Sequence, residues 1–142
     1  MYTLELVKGN WYDLGHPELK SSVDNVFHSQ SAFRFHESPE GRPRVSIDKD
    51  NITVGRNISS DIMIFEPYIH SGTHCWLRKF RGSAYLDSLQ ALGTSIIGEK
   101  GTIEVPVLVT RHAFIQLRIG DTIRFGGPRE SGNGVEIKLV EL

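Results

Sequence analysis

The sequence predicts an all-β protein built as a sandwich or barrel of short strands. Along most of the 142 residues, apolar side chains recur at every second position, which is the period of a strand and not of a helix. Clusters of glycine, proline, asparagine and aspartate interrupt these alternating stretches at short intervals, as turns between strands do. A chain of this length is sufficient for one domain with a real hydrophobic core.

The first predicted strands of the main domain lead up to a glycine–arginine pair. The strand at 32–35 stops at a loop, 38–43, that is rich in proline and glycine. Alternation resumes at 45–47 and, after a polar turn, at 52–54. The last of these strands runs directly into Gly55, so a turn presents the residue that follows it.

The same criteria predict the remaining strands. A glutamate–proline pair ends one of them, and an Arg-Gly-Ser turn separates two others. These strands are placed at 62–65, 75–80, 84–87, 105–109, 123–125 and 135–140.

Residues 1–31 are predicted to form an extension that packs against the main domain, which covers 32–142. Leu4 and Leu6 fit an added strand, and the stretch 16–27 is compatible with one short amphipathic helix. We expect this extension to be the part of the chain that can mediate homo-oligomerisation.

Composition excludes several classes of function. Sixteen lysines and arginines against seventeen acidic residues give a net charge of -1, so the chain is no polycation for duplex nucleic acid. No apolar run approaches the roughly 18 residues that span a bilayer, so no membrane partner is expected. Cys75 is the only cysteine, which excludes an intrachain disulfide framework and fits a reducing compartment. We expect a nuclear or cytoplasmic location.

Short motifs that occur in a fixed order give the sequence its most informative signal. Each motif is weak alone, but all of them lie in order within the region of about 110 residues from Ala32 to the C-terminus. They are Gly55-Arg56, Ser60-Asp61-Ile62, Ser71-Gly72-Thr73-His74, Asp87, Gly93-Thr94 and the closing stretch 117–126. In this order and spacing, the chain resembles the forkhead-associated (FHA) domain, a β-sandwich that binds phosphothreonine peptides.

The resemblance implies a role for each matched residue. Arg56 and Ser71 are the expected phosphate ligands, because a guanidinium offers a planar fork of donors and a hydroxyl can donate to a further phosphate oxygen. Gly55 and His74 are expected to support the loops from within. The expected peptide-binding loops contain Asn57, Gly72, Gln90, Leu92 and Thr94.

One departure concerns the residue that precedes Gly93-Thr94. The family usually has asparagine there, which holds the peptide backbone beside the phosphothreonine, and this chain has Leu92. Gln90 or Ser88 could substitute, since both are polar side chains of the same loop. A second departure is His70, at a position where an apolar residue is common in the family.

These observations predict a non-catalytic module that recruits a threonine-phosphorylated protein, as in the signalling of DNA damage, the cell cycle or meiosis. The alternative is a scaffold or dimerisation domain that keeps the fold and binds partners without phosphate. No cofactor and no metal are expected.

Three other interpretations have weaker support in the sequence. The stretch 93–100 partly matches the motif of a nucleotide-binding loop, but Glu99 precedes the lysine and no long helix is predicted to follow. His70, His74 and Cys75 do not supply the four ligands of a structural zinc at suitable spacing. A hydrolase that uses Ser71 and His74 is the third hypothesis. With Asp87 these residues are the types of a hydrolytic triad, but the sequence has no Gly-x-Ser-x-Gly turn.

Overall fold

A computed structural model describes residues 2–9, 33–57, 60–64, 66–88, 93–106, 111–132 and 134–142. Within these ranges the backbone forms twelve strands and one short 3-10 turn, Arg129–Ser131. The strands are β1 (Tyr2–Lys8), β2 (Phe33–Glu37), β3 (Pro43–Ile47), β4 (Asn51–Gly55), β5 (Ile62–Met63), β6 (Thr73–Phe80), β7 (Ser83–Ser88), β8 (Ser95–Gly98), β9 (Gly101–Glu104), β10 (Ala113–Leu117), β11 (Thr122–Phe125) and β12 (Val135–Glu141).

The strands form two sheets, and this confirms the predicted β-sandwich. The larger sheet has the order β2-β3-β1-β12-β11-β8-β9, and the smaller has the order β10-β7-β6-β4-β5. All the strand pairs are antiparallel except β4 with β5, which run parallel. No helix in the described ranges is long and apolar enough to cross a membrane.

The core lies between the two sheets and follows from the period of two. Apolar residues at alternate positions enter this core, as Ile52 and Val54 do in β4 and as Ile123 and Phe125 do in β11. Cys75 also faces this core as a free thiol, and burial raises its pKa. The single cysteine is therefore a packing residue.

Strand β1 is an internal strand of the larger sheet. It pairs with β3 on one side and with β12 on the other, and Leu4 and Leu6 are buried. The two leucines thus form the strand that their alternation predicts, but it lies within the sheet. The predicted helix at 16–27 and the boundary between 31 and 32 lie outside the described residues.

Between residues 93 and 117 the strands predicted from the sequence differ from those of the structure. Strands β8, β9 and β10 were not predicted, because their short apolar stretches are interrupted by glycines and polar residues. The strand predicted at 105–109 is wrong at its start, since 105 and 106 follow β9 without joining a sheet. Residues 107–110 of that prediction lie outside the described residues.

Candidate functional site

The site begins where two backbones meet at one end of the smaller sheet. Gly55 ends β4 and pairs with Thr73 at the start of β6, across an irregularity in the ladder. A Cβ atom on Gly55 would lie 2.2 Å from the carbonyl oxygen of Gly72 and 2.7 Å from the Ser60 hydroxyl. Only glycine fits this contact, which brings the turn carrying Arg56 against the turn carrying Ser71.

Arg56 follows Gly55 and is half-buried. Its backbone N–H donates to the carbonyl oxygen of His70 at 3.3 Å, which ties the first turn to the second. Its guanidinium has no hydrogen-bond or ion-pair partner among the residues that the structure describes. A half-buried guanidinium without a partner is a ready anion ligand, because a buried donor is stabilised only when it is paired.

Asn57, which follows Arg56, and Ser71, on the adjoining turn, are both exposed. Ser71 lies directly after His70, whose carbonyl oxygen accepts from Arg56. The carbonyl oxygen of Asn57 accepts from the Ser60 N–H at 2.9 Å, which closes the turn after Arg56. The structure therefore brings the predicted phosphate ligands onto two adjoining turns.

His74 connects the second turn to a third loop from inside the protein. Its Nδ1 accepts from the His70 N–H at 3.1 Å, and its Nε2 lies 2.8 Å from the Thr94 hydroxyl. Because Nδ1 is an acceptor, Nε2 carries the proton and donates to Thr94. The ring is buried and packs edge-on against Phe125 at 5.4 Å.

The charge state of His74 agrees with these contacts. Burial, with a smaller contribution from His70, lowers the pKa of His74 to about 4. The ring is therefore neutral near neutral pH, and both nitrogens are used within the protein. Its position fits a residue that braces the loops and does not contact a ligand.

Thr94 and Gly72 shape the site in different ways. Thr94 is 2% exposed and its hydroxyl is bonded to His74, so it acts from within the loop. Gly72 is half-exposed, and its N–H donates to Nδ1 of the His70 ring at 3.0 Å. The other two predicted loop residues, Gln90 and Leu92, lie outside the described residues.

The hydrolase hypothesis is not supported by the positions of its residues. Asp87 accepts from Arg78 at 2.5 Å and bonds to Nδ1 of His112, while His74 is bonded to His70 and Thr94. Ser71 is exposed on its turn. The Asp87 carboxylate and both His74 nitrogens are thus bonded to residues outside the proposed triad, so no triad forms.

Comparison with solved structures places this architecture among known folds. No protein-family model and no curated protein matches the chain. The N-terminal FHA domain of S. cerevisiae Rad53p, solved with a phosphothreonine peptide, matches with a TM-score of 0.55 at 16% identity, over 99% of this chain and 93% of that one. The chain adopts the FHA fold.

Two further structures agree with this assignment. An engineered FHA with a Myc-pTBD peptide has a TM-score of 0.54 at 16% identity, over 99% of this chain and 91% of that one. The FhaA FHA domain, complexed with the intracellular domain of Rv3910, has a TM-score of 0.52 at 18% identity, over 98% and 99%. At these identities the likeness establishes the fold alone.

A buried ion pair supports the third loop of this FHA sandwich, and it was not predicted from the sequence. Arg124 is 1% exposed and donates to Glu136 at 2.8 Å and to the carbonyl oxygen of Gly127 at 2.7 Å. The Gly127 N–H in turn donates to the carbonyl oxygen of Gly93 at 2.9 Å. The only sequence signal was the place of Arg124 inside the closing motif, where it alternates with core residues.

Asp61 fixes the start of the crossover from β4 to β5. Its carboxylate accepts from the Thr53 N–H at 2.9 Å and from Lys49 at 2.8 Å. Its own N–H donates to the Thr53 hydroxyl at 2.9 Å. The aspartate of the Ser-Asp-Ile motif is thus used in the scaffold.

Proposed function

We propose that this chain is a non-catalytic interaction module that recruits a threonine-phosphorylated protein. The observation that carries the proposal is the half-buried Arg56 guanidinium, which has no partner in the described part of the chain. Ser71 lies on the adjoining turn, and two glycine backbones in contact fix both turns. The FHA fold, which Rad53p uses with a phosphothreonine peptide, supports the same function.

The chemistry of a phosphothreonine suits these two side chains. The group carries about -1.5 to -2 charges near neutral pH and has three acceptor oxygens. Arg56 can donate to two of them through its fork, and the Ser71 hydroxyl can donate to the third. Charge-assisted hydrogen bonds of this kind contribute roughly 1.5–3 kcal/mol each. The chain as a whole has a net charge of -1, so attraction for the phosphate is local.

The test is calorimetric titration of one peptide in its phosphothreonine, phosphoserine and unmodified forms. We expect the phosphothreonine form to bind best, and Arg56→Ala to weaken its binding about 10- to 100-fold. Arg81→Ala is the matched control, because Arg81 is an exposed arginine at the opposite end of β6. Equal binding by wild type and Arg56→Ala would contradict the proposal.

The wider setting is also proposed and follows from the resemblance. We place the protein in the nucleus or cytoplasm, in signalling of the DNA-damage, cell-cycle or meiotic type, where it recruits a partner after a kinase has acted. Affinity capture from cells with wild type and Arg56→Ala as baits tests this setting. Partners that are retained by both baits, and phosphatase treatment without effect, would count against it.

A scaffold or dimerisation domain remains the second candidate, and Leu92 is the observation that favours it. Where the family has an asparagine for the peptide backbone, this chain has an apolar side chain. In this case a partner binds equally with and without phosphate, and Arg56→Ala has no effect on it. The same titration therefore separates the two functions.

A further inference from the structure

A groove lies on the larger sheet, away from Arg56 and Ser71. Its volume is about 830 Å³. It extends across β12, β11 and β8 to the β8–β9 hairpin and the β10–β11 loop. The hairpin and this loop are at the opposite end of β8 and β11 from Gly93 and Gly127. A ligand in this groove is therefore separate from a ligand at the phosphate site.

The groove is basic, although the chain is slightly acidic. Four cationic side chains line it against the two acidic ones of Glu99 and Asp121, which leaves a local charge of about +2. The cationic residues are Arg42, Lys100, Arg118 and Lys138.

Three of these cations are not neutralised by a neighbour. Arg42 is paired with the buried Glu5 at 3.4 Å. Lys100, Arg118 and Lys138 have no side-chain ion pair within the described ranges. Lys100 and Arg118 are also exposed, so their charges are available to a partner.

Apolar side chains and an open sheet edge lie beside these charges. Ile103 is 56% exposed and Ile119 is 63% exposed, and both line the groove. Among the strands that the structure describes, β9 is the last of the larger sheet, and all four of its residues are exposed. In an antiparallel edge strand, half of the N–H and C=O groups point away from its one neighbour and can pair with an extended chain.

From these features we propose that the groove binds an unphosphorylated acidic segment of a partner protein in extended conformation. Carboxylates of the segment would pair with Lys100, Arg118 and Lys138, and its aliphatic side chains would cover Ile103 and Ile119. A nucleic acid fits less well, because its backbone has no apolar side chain for the two isoleucines and the groove has few charges for it. The proposal is independent of the phosphate site.

The experiment measures fluorescence anisotropy of a labelled peptide about ten residues long, in which glutamate alternates with leucine. The probes for comparison are a lysine–leucine peptide, polyadenylate and phosphatidylserine vesicles. The groove variant is Lys100→Glu with Arg118→Glu. The control variant is Lys79→Glu with Arg81→Glu, which changes the net charge equally at the β6–β7 turn of the other sheet.

We expect the acidic peptide to bind wild type and Arg56→Ala equally, and the lysine peptide to bind neither. The groove variant should bind at least about tenfold more weakly, and the control variant should stay within about twofold of wild type. Equal loss in both double variants would reduce the effect to net charge and overturn the proposal. It is also overturned if the acidic peptide fails to bind at about 0.1 M salt, or if only polyadenylate or the vesicles bind.

Discussion

The contact between Gly55 and Gly72 gives the sharpest prediction, which is made with two alanine substitutions. In Gly55→Ala the new methyl group would lie 2.2 Å from the Gly72 carbonyl oxygen, roughly 1 Å inside an ordinary carbon–oxygen contact. The oxygen belongs to the backbone and cannot rotate away, so the second turn must move. In Gly72→Ala the nearest atom is Nδ1 of His70 at 3.5 Å, which is an ordinary contact.

Overpacking of this kind destabilises proteins by about 1–3 kcal/mol, which for a domain of this size lowers Tm by roughly 2–12 °C. Neither glycine adopts a positive φ, so backbone strain does not explain a difference between the variants. We expect Gly55→Ala to lose this stability and Gly72→Ala to stay within about 0.5 kcal/mol of wild type.

The same displacement moves Ser71 away from Arg56. Phosphopeptide affinity should therefore fall about tenfold or more in Gly55→Ala, as expected when one charge-assisted hydrogen bond is lost. Thermal unfolding and calorimetric titration measure the two effects on one sample. If Gly55→Ala unfolds at the same temperature as Gly72→Ala, the close approach of the two turns is refuted.

Three further predictions concern the residues that brace the loops. His74 has a pKa of about 4 in the folded protein against an ordinary value of 6.5, so the unfolded state binds more protons between these values, and stability should fall by about 2 kcal/mol from pH 7 to pH 5. In urea unfolding, His74→Gln should not show this loss of stability, and a pH profile identical to that of the wild type would contradict the assignment. Glu136→Gln should lower the free energy of unfolding by about 3 kcal/mol, because Arg124 is then buried without its counter-charge; a loss below about 0.5 kcal/mol in the same assay would count against the ion pair. Thr94→Val should lose about 1–3 kcal/mol and Thr94→Ser much less, because serine keeps the hydroxyl that accepts from His74; equal losses would show that the hydrogen bond does not matter.

The fold class could be predicted from the sequence because a strand that is buried on one face has apolar residues at alternate positions. The alternation of Ile52 and Val54 and of Ile123 and Phe125 reappears as buried positions in β4 and β11. Strands β8 and β9 were missed for the opposite reason. Gly98 and Gly101 bound their hairpin, and the four residues of β9 are exposed, so no apolar period marks it.

The candidate site was predictable to the extent that its chemistry resides in side chains. Arg56 and Ser71 could be named because the order of the motifs resembles the FHA domain, and because a guanidinium and a hydroxyl suit a phosphate. The contact of Gly55 with Gly72 could not be derived from composition or period, because it depends on the distance between two backbones that are far apart in sequence. The partners of His74 were equally hidden, since a histidine in a motif does not show which groups its nitrogens meet.

The frame behind Arg56 consists largely of backbone groups, and this explains why the sequence shows so little of it. Arg124 donates to the Gly127 carbonyl, and the Gly127 N–H donates to the Gly93 carbonyl, so the ion pair reaches the third loop through main-chain atoms. From Thr94 the connection passes through the His74 ring to the His70 N–H, and the His70 carbonyl accepts from Arg56.

Main-chain donors and acceptors are present at almost every residue, so they leave no compositional mark. The side chains on this path that a sequence can show are Arg124, Thr94 and His74, and two of them are buried polar groups paired with each other. Buried polar groups that are fully paired fix one arrangement of the chain around them. The hydrogen bonds that support the two proposed phosphate ligands therefore extend back to Glu136, on the other sheet. We expect loss of that carboxylate to disturb the loop of Gly93, which is closer to it along this path, more than Arg56.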